Sequence, residues 1–372
     1  MTDTVARSSF STGTLRRLFG TVHLWIGVII GIPAAVLGVT GIALMIVHPL
    51  PATIGADTGA ATVNIDNVIA NARAAVTGDA APQQYDAPVG HQSAAVRFRV
   101  SRSDDNPRGL ARILIDPATM AVMDDPQQQG GIRRLIHDLH GSFMAGGDGR
   151  AWVGWVGRAM CVLALTGIVL WWPKRGQWRA AFTISGRGNT LMVLREIHGA
   201  AGIWGLAVFF IISLTGTVIA FPPDGGPAAG DSRPMRSDDH ALVELHVDQA
   251  VAQAMTAVPN TVLRSVTLPA NADDTYRVAL ARAGDDRAAP PTVVTVDGTA
   301  SKVTDIRDPD QIPAGAQFLL WNRPLHTGMG LGWTWWILTL LSGALPVIFA
   351  GSGIAMWLIK RRNRHRVLQQ TP

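Results

Sequence analysis

The chain has 372 residues, 48% of them hydrophobic and 16% charged, with a formal net charge of +5. That composition makes membrane insertion the first class to test. The single cysteine, Cys161, excludes an intrachain disulfide, a cysteine-ligated iron–sulfur cluster and covalent cofactor attachment through CxxCH.

Taken in chain order, a basic N-terminal stretch (1–22, with Arg7, Arg16 and Arg17) precedes a run with no charge over 24–47. Three more runs follow at 151–172, interrupted only by Arg158, at 199–221 and at 331–359, with Pro346 inside. Each reaches the roughly 20 residues needed to cross about 30 Å of hydrocarbon. All 12 tryptophans lie within or beside these runs, as interfacial belts and helix packing predict. The first run is too long for a signal peptide and lacks a small-residue cleavage site after it.

Basic residues set the expected topology. The N-terminus, the loop 173–197 and the tail 360–372 are rich in Lys and Arg and carry only two acids, Asp3 and Glu196. The positive-inside rule puts all three in the cytoplasm and the segments 48–150 and 222–330 outside. Those outer segments hold most of the acids, so the basic residues read as topology anchors and nucleic acid is not the implied partner. The expected organisation is TM1 at 23–47, TM2 at 151–172, TM3 at 198–221 and TM4 at 331–359, with an extracytoplasmic domain inside each pair.

The two halves repeat. LTGIVLWWPKR (165–175) aligns with GSGIAMWLIKR (351–361), and the same offset of 186 carries LHG (139–141) onto LHT (325–327). VTGIAL (39–44) aligns with LTGTVI (214–219), and that offset of 175 carries His23 onto His198. VNIDNVIANARAAV (63–76) resembles LHVDQAVAQAMTAV (245–258). The expected fold is therefore a membrane protein of four transmembrane α-helices in two tandem repeats, each with an extracytoplasmic α+β domain, related by a pseudo-twofold axis along the membrane normal.

Within each outer domain Asp66 and Asp248 read as helix N-caps. VRFRV (96–100) with RILID (112–116), and TYRVALAR (275–282) with TVVTVD (292–297), read as hairpins. The stretches 77–92 and 222–240, rich in Pro, Gly, Ala and Asp, read as connectors.

Four of the 10 histidines occupy repeat-matched positions: His23 and His198 at the inner ends of spans one and three, His140 and His326 near the outer ends of spans two and four. A twofold axis sets equivalent residues opposite one another, and two facing imidazoles are what a six-coordinate haem iron needs. Zinc is a rival, but two ligands are too few. A lone interfacial histidine is more often a wet amphipathic ring than a ligand; four at matched positions argue against that reading. His137 is an alternative to His140, though its repeat partner is Arg323. His48, His91, His240, His246 and His365 read as surface or loop residues. Arg158 suits either a haem propionate or snorkelling to headgroups, and Arg134 and Arg323 are weaker candidates for the former. Small residues share a stripe with His23 (Gly27, Gly31, Ala34, Gly38, Gly41) and with His198 (Gly202, Gly205, Ser213, Gly216), fitting either helix packing or a flat macrocycle. GMGLG (328–332) lacks the strand a nucleotide loop requires.

Span-end His, TG-containing spans, LH before the even spans and WWPKR at an exit together resemble the PepSY-associated transmembrane family over roughly residues 14–362. The outer segments look like PepSY domains. Four-span members of this length are similar to di-haem ferric-siderophore reductases of the bacterial inner membrane. The resemblance implies two non-covalent, bis-histidine b-type haems on His23, His198, His140 and His326, and an oxidoreductase that reduces ferric siderophores in the periplasm and releases Fe(II) for uptake. No flavodoxin-like or ferredoxin-reductase-like stretch accompanies the motifs, which leaves the donor open between quinol and a cytoplasmic reductase. Alternative readings are a haem relay to another periplasmic redox protein and a cofactor-free anchored binding or inhibitor module.

Overall fold

The computed structural model describes residues 12–47, 64–76, 80–88, 93–100, 110–123, 131–223, 246–269 and 274–370. Among the described residues, four helices or helix pairs are long and apolar enough to cross a membrane: α1 (Thr12–Val47), α4 (Gly146–Trp171), α6 (Thr190–Ala220), separated from α4 by the short α5 (Trp178–Ala181), and α9 (Gly332–Ser342) continued by α10 (Leu345–Gln370). The fourth is not the continuous run its composition suggests. It breaks at Gly343–Ala344, and Pro346 sits in the first turn of α10, where a missing N–H costs least. The four pack as a closed ring, α1 against α4 and α10, and α6 against the same two. Their outward faces carry exposed Ile29, Ile32, Trp204 and Leu341, large apolar side chains suited to lipid.

The stripes of small residues resolve into two uses. Gly31 lies against Ala350, Gly38 against the Gly343 carbonyl and Pro346, and Gly205 against Leu345, so these positions let helices approach closely. Gly41 and Gly216 face histidine rings instead.

Outside the spans, α2 (Ile65–Ala74) and α7 (Val247–Ala257) cover one face of an eight-stranded antiparallel sheet. Its strands are β1 (Ala80–Asp86), β2 (Ala94–Val100), β3 (Leu110–Ile115), β4 (Val122–Met123), β5 (Thr261–Thr267), β6 (Tyr276–Arg282), β7 (Thr292–Val296) and β8 (Val303–Arg307), in the order β4-β3-β2-β1-β5-β6-β7-β8. Both expected hairpins form, with Val96 opposite Ile113 and Val278 opposite Val294. One stretch read as a connector, 77–92, contains β1; Pro82 and its polar neighbours masked a strand whose bulge lies between Pro82 and Gln84. Most of the other connector, 222–240, lies outside the described residues. Strand β1 matters because it pairs with β5 and makes one sheet of the two domains. Every second side chain points at the helices and forms one core: Tyr85, Val96, Phe98, Ile115, Val266, Tyr276, Val278 and Val294.

Helix N-termini also differ from expectation. Asn64 caps α2 with its own side chain, and His246 occupies the cap position of α7. Asp66 and Asp248, each in the first turn, cap the helix across the seam.

Candidate functional site

Two short helices outside the spans carry the outer histidines. Helix α3 (Ile132–Ser142) packs on α1 and α4, and α8 (Ala314–Thr327) packs on α6. Each ends in the left-handed region, at Phe143 and at Gly328, and so turns the chain into the next span. His140 and His326 therefore lie against the bundle from helices that precede spans two and four. His23 and His198 belong to the spans themselves.

The four rings form two pairs. The His23 and His198 ring centres are 6.2 Å apart, and so are those of His140 and His326. Metal–imidazole bonds of about 2 Å, with about 1.2 Å from ring nitrogen to ring centre, put two imidazoles facing one ion roughly 6.4 Å apart. The observed separation fits a single ion between each pair.

Which nitrogen faces that ion follows from the hydroxyl behind each ring. His23 Nδ1 is 2.9 Å from Thr166 Oγ1, His140 Nδ1 is 2.9 Å from Thr40 Oγ1, His198 Nδ1 is 2.8 Å from Ser352 Oγ, and His326 Nδ1 is 3.1 Å from Thr215 Oγ1. Every one of these hydroxyls donates its only proton to a carbonyl one turn earlier: Thr166 to Val162, Thr40 to Val36, Ser352 to Ile348 and Thr215 to Ile211. It can then only accept, so the histidine proton sits on Nδ1 and Nε2 keeps a free lone pair. His326 Nδ1 also lies 3.0 Å from the Ile212 carbonyl, which demands the same tautomer.

A glycine follows each of those residues: Gly41, Gly167, Gly216 and Gly353. A Cβ there would meet the Cε1 atom of His140 at 3.3 Å, of His23 at 3.6 Å, of His326 at 2.8 Å and of His198 at 3.8 Å. The recurring Thr/Ser-Gly pair is thus a seat: the hydroxyl orients a histidine from the neighbouring helix, and the glycine makes room for its ring. The sequence did not reveal the use of these four pairs, because their histidine partners are about 100 to 150 positions away.

His23 and Thr40 lie 17 residues apart on α1, as do His198 and Thr215 on α6, so the two pairs are separated by about 25 Å along the bundle. Between them Ala34, Val156, Met160, Ala164 and Phe209 fill the interior, and Phe349 bridges from the His198 ring (5.0 Å) to Phe209 (5.5 Å).

Among the described residues no cluster of three or more His, Cys, Asp or Glu side chains is placed to hold a metal. Two imidazole nitrogens per site, with no further His, Cys, Asp or Glu cluster among the described residues, suit a metal that brings its equatorial ligands with it, as haem iron does.

Other candidates lie elsewhere. The His137 side chain is 59% exposed and its Nδ1 lies 3.6 Å from Asp138. The exposed Arg158 guanidinium lies 4.5 Å from the Trp155 ring centre and 4.0 Å from that of Phe221. Arg134 lies 3.7 Å from Asp138, and Arg323 is exposed. His246 donates its backbone N–H to the Tyr276 hydroxyl, and His365 is exposed on α10. His48, His91 and His240 lie outside the described residues.

Similarity to known proteins agrees with this architecture. The uncharacterized protein PA4219 of Pseudomonas aeruginosa is 25% identical over 279 residues, which cover 63% of this chain and 66% of that protein. The family described as the PepSY-associated TM region matches residues 21–360. With its four histidine seats and its outer sheet inside that match, the chain belongs to the PepSY-associated TM region family.

Proposed function

We propose that this protein is a bacterial inner-membrane electron conduit that reduces ferric chelates at its sheet-bearing face, as the di-haem reductases it resembles do. Its two halves are read as tandem repeats about an axis along the membrane normal, with both termini cytoplasmic and the sheet in the periplasm. One observation carries the reading: both histidine pairs stand at the same 6.2 Å, each with Nδ1 tied to a hydroxyl and Nε2 left for a metal. Bound b-type haem would supply a one-electron carrier at each membrane face.

The chain's own residues hold and insulate. Thr40, Thr166, Thr215 and Ser352 fix each histidine's tautomer and rotation, which raises ligand basicity and prevents the ring from turning away. Phe209, Phe349 and Met160 exclude water between the pairs. With the inside negative, an electron moving fully outward gains about 2.3 kcal/mol per 100 mV. Fe(II) is softer than Fe(III) and binds hard oxygen chelators less tightly, so one-electron reduction releases the metal.

The test is reoxidation. Detergent-purified protein is reduced with dithionite, freed of excess reductant and mixed with a ferric hydroxamate chelate. Prompt return of the oxidised visible spectrum, with Fe(II) trapped by ferrozine, supports the reading. A reduced spectrum indifferent to the chelate assigns the protein instead to relaying electrons to another protein.

A further inference from the structure

Two buried polar side chains beside the outer histidine pair have nothing to bond to. Asn322 and Thr339 are each 5% exposed, and neither Asn322 Oδ1 nor Thr339 Oγ1 has a hydrogen-bond partner among the described residues. Buried polar groups in folded proteins are almost always satisfied, so these two call for a partner. Asn322 precedes His326 by four positions on α8, which sets both on one face with Cβ atoms about 5–6 Å apart. That helix packs on α6, whose Thr215 and Gly216 seat the His326 ring. Thr339, on α9, lies under the end of α8: a Cβ on Gly328, two positions past His326, would stand 3.2 Å from Thr339 Cβ.

Thr339 also departs from the other hydroxyls of the bundle. Thr40, Thr166, Thr215 and Ser352 each donate their proton to a carbonyl one turn earlier, whereas Thr339 makes no such bond and keeps its proton to give. An asparagine amide carries two N–H donors at one end, and a half-turn of the amide brings that end to where Oδ1 stands. Both side chains can therefore donate to an oxyanion.

The two halves differ at these positions. The offset of 186 that carries His140 onto His326 and Gly146 onto Gly332 sets Ile136 against Asn322 and Val153 against Thr339. Aliphatic side chains of similar bulk serve in the first half, so helix packing is not what requires an amide and a hydroxyl in the second. A flat ring clamped between two equivalent histidines has two ways round. Donors on one side only give it a direction.

We infer that Asn322 and Thr339 are positioning residues of the outer site. They donate to the carboxylate edge of a macrocycle held by His140 and His326, and so fix which half that edge faces. The inference rests on the proposed function for the macrocycle itself and goes beyond it in assigning an orientation.

The experiment compares full-length protein in detergent with its Asn322→Leu and Thr339→Val variants, all in a His23→Ala background so that the outer site is followed alone. Ile136 and Val153 show that aliphatic side chains fit the matched positions. Haem release to an apo-globin and the midpoint potential are measured with haem b, and again after reconstitution with its dimethyl ester, whose carboxylates are capped. Loss of a hydrogen bond to a charged group predicts release of haem b about tenfold faster from Asn322→Leu than from its parent. The midpoint should fall as well, because a carboxylate left without its donor favours Fe(III). With the dimethyl ester, parent and variants should release alike. Release and midpoint that ignore both substitutions overturn the inference. An effect of equal size with the ester overturns it too, and assigns the two side chains to a bound water or to packing. Colourless wild-type protein overturns the haem reading and this inference together, whereas coloured protein indifferent to both substitutions overturns the inference alone.

Discussion

Asp66 and Asp248 cap each other's helices. Asp66 accepts the N–H groups of Val247 (3.0 Å) and Asp248 (3.3 Å), and Asp248 accepts those of Ile65 (2.9 Å) and Asp66 (3.2 Å). Four otherwise unsatisfied helix donors are thereby used to join the two halves beside the β1–β5 seam. Asp66→Ala and Asp248→Ala are each expected to cost about 1–2 kcal/mol. Because either loss loosens the seam across which the other carboxylate reaches, the double variant should cost less than the sum of the two. Thermal unfolding of the four proteins of this cycle checks it.

The seats behind the histidines should tune cofactor retention without touching the ligands. Thr166→Val keeps the shape and removes the acceptor for His23 Nδ1. Loss of such a partner typically weakens metal binding by 10–100-fold. Transfer of haem to an apo-globin acceptor should be correspondingly faster for Thr166→Val, Thr40→Val and Thr215→Val than for wild type.

The glycines behind the rings should not be equivalent. A Cβ on residue 216 would stand 2.8 Å from His326 Cε1, whereas one on residue 353 would stand 3.8 Å from His198 Cε1. Gly216→Ala must therefore displace His326, while Gly353→Ala makes ordinary contact. Loss of one haem is expected in the first variant and full retention in the second, read from the haem-to-protein ratio.

What the sequence disclosed followed from periodicity and repetition. Uncharged runs gave the spans, and matched offsets paired His23 with His198 and His140 with His326 before any geometry was known. What it hid depended on contacts between distant elements. Strand β1 has the polar sequence of a loop because its ends lie at a seam completed only by β5. The first-turn residues Asp66 and Asp248 look like ordinary caps because the helices they cap are about 180 positions away. Arg97 and Arg112 are separated in an acidic segment, and only the sheet register sets them side by side.

Alkaline pH should open the sheet domain. Burial pushes the Tyr85 phenol up to about 12, with the Asp248 and Asp86 carboxylates adding to the shift, and burial also raises Tyr276. An unfolded tyrosine ionises near 10. Between about 10 and 12 the folded state holds more protons than the unfolded one, so stability is complete below that window and falls as pH rises through it. These are the chain's two tyrosines. Phenolate absorbance should therefore appear together with loss of near-UV circular dichroism, in one cooperative step. Reversible titration near pH 10 with the fold intact would contradict the burial of both rings.

The most direct test of the account counts haem. Detergent-purified protein should show a reducible b-type spectrum with about two haems per chain, one for each histidine pair. His23→Ala or His198→Ala should remove one of them, His140→Ala or His326→Ala the other, and His137→Ala neither. A colourless wild-type protein, or an outer haem that survives His140→Ala and is lost with His137→Ala, would contradict it.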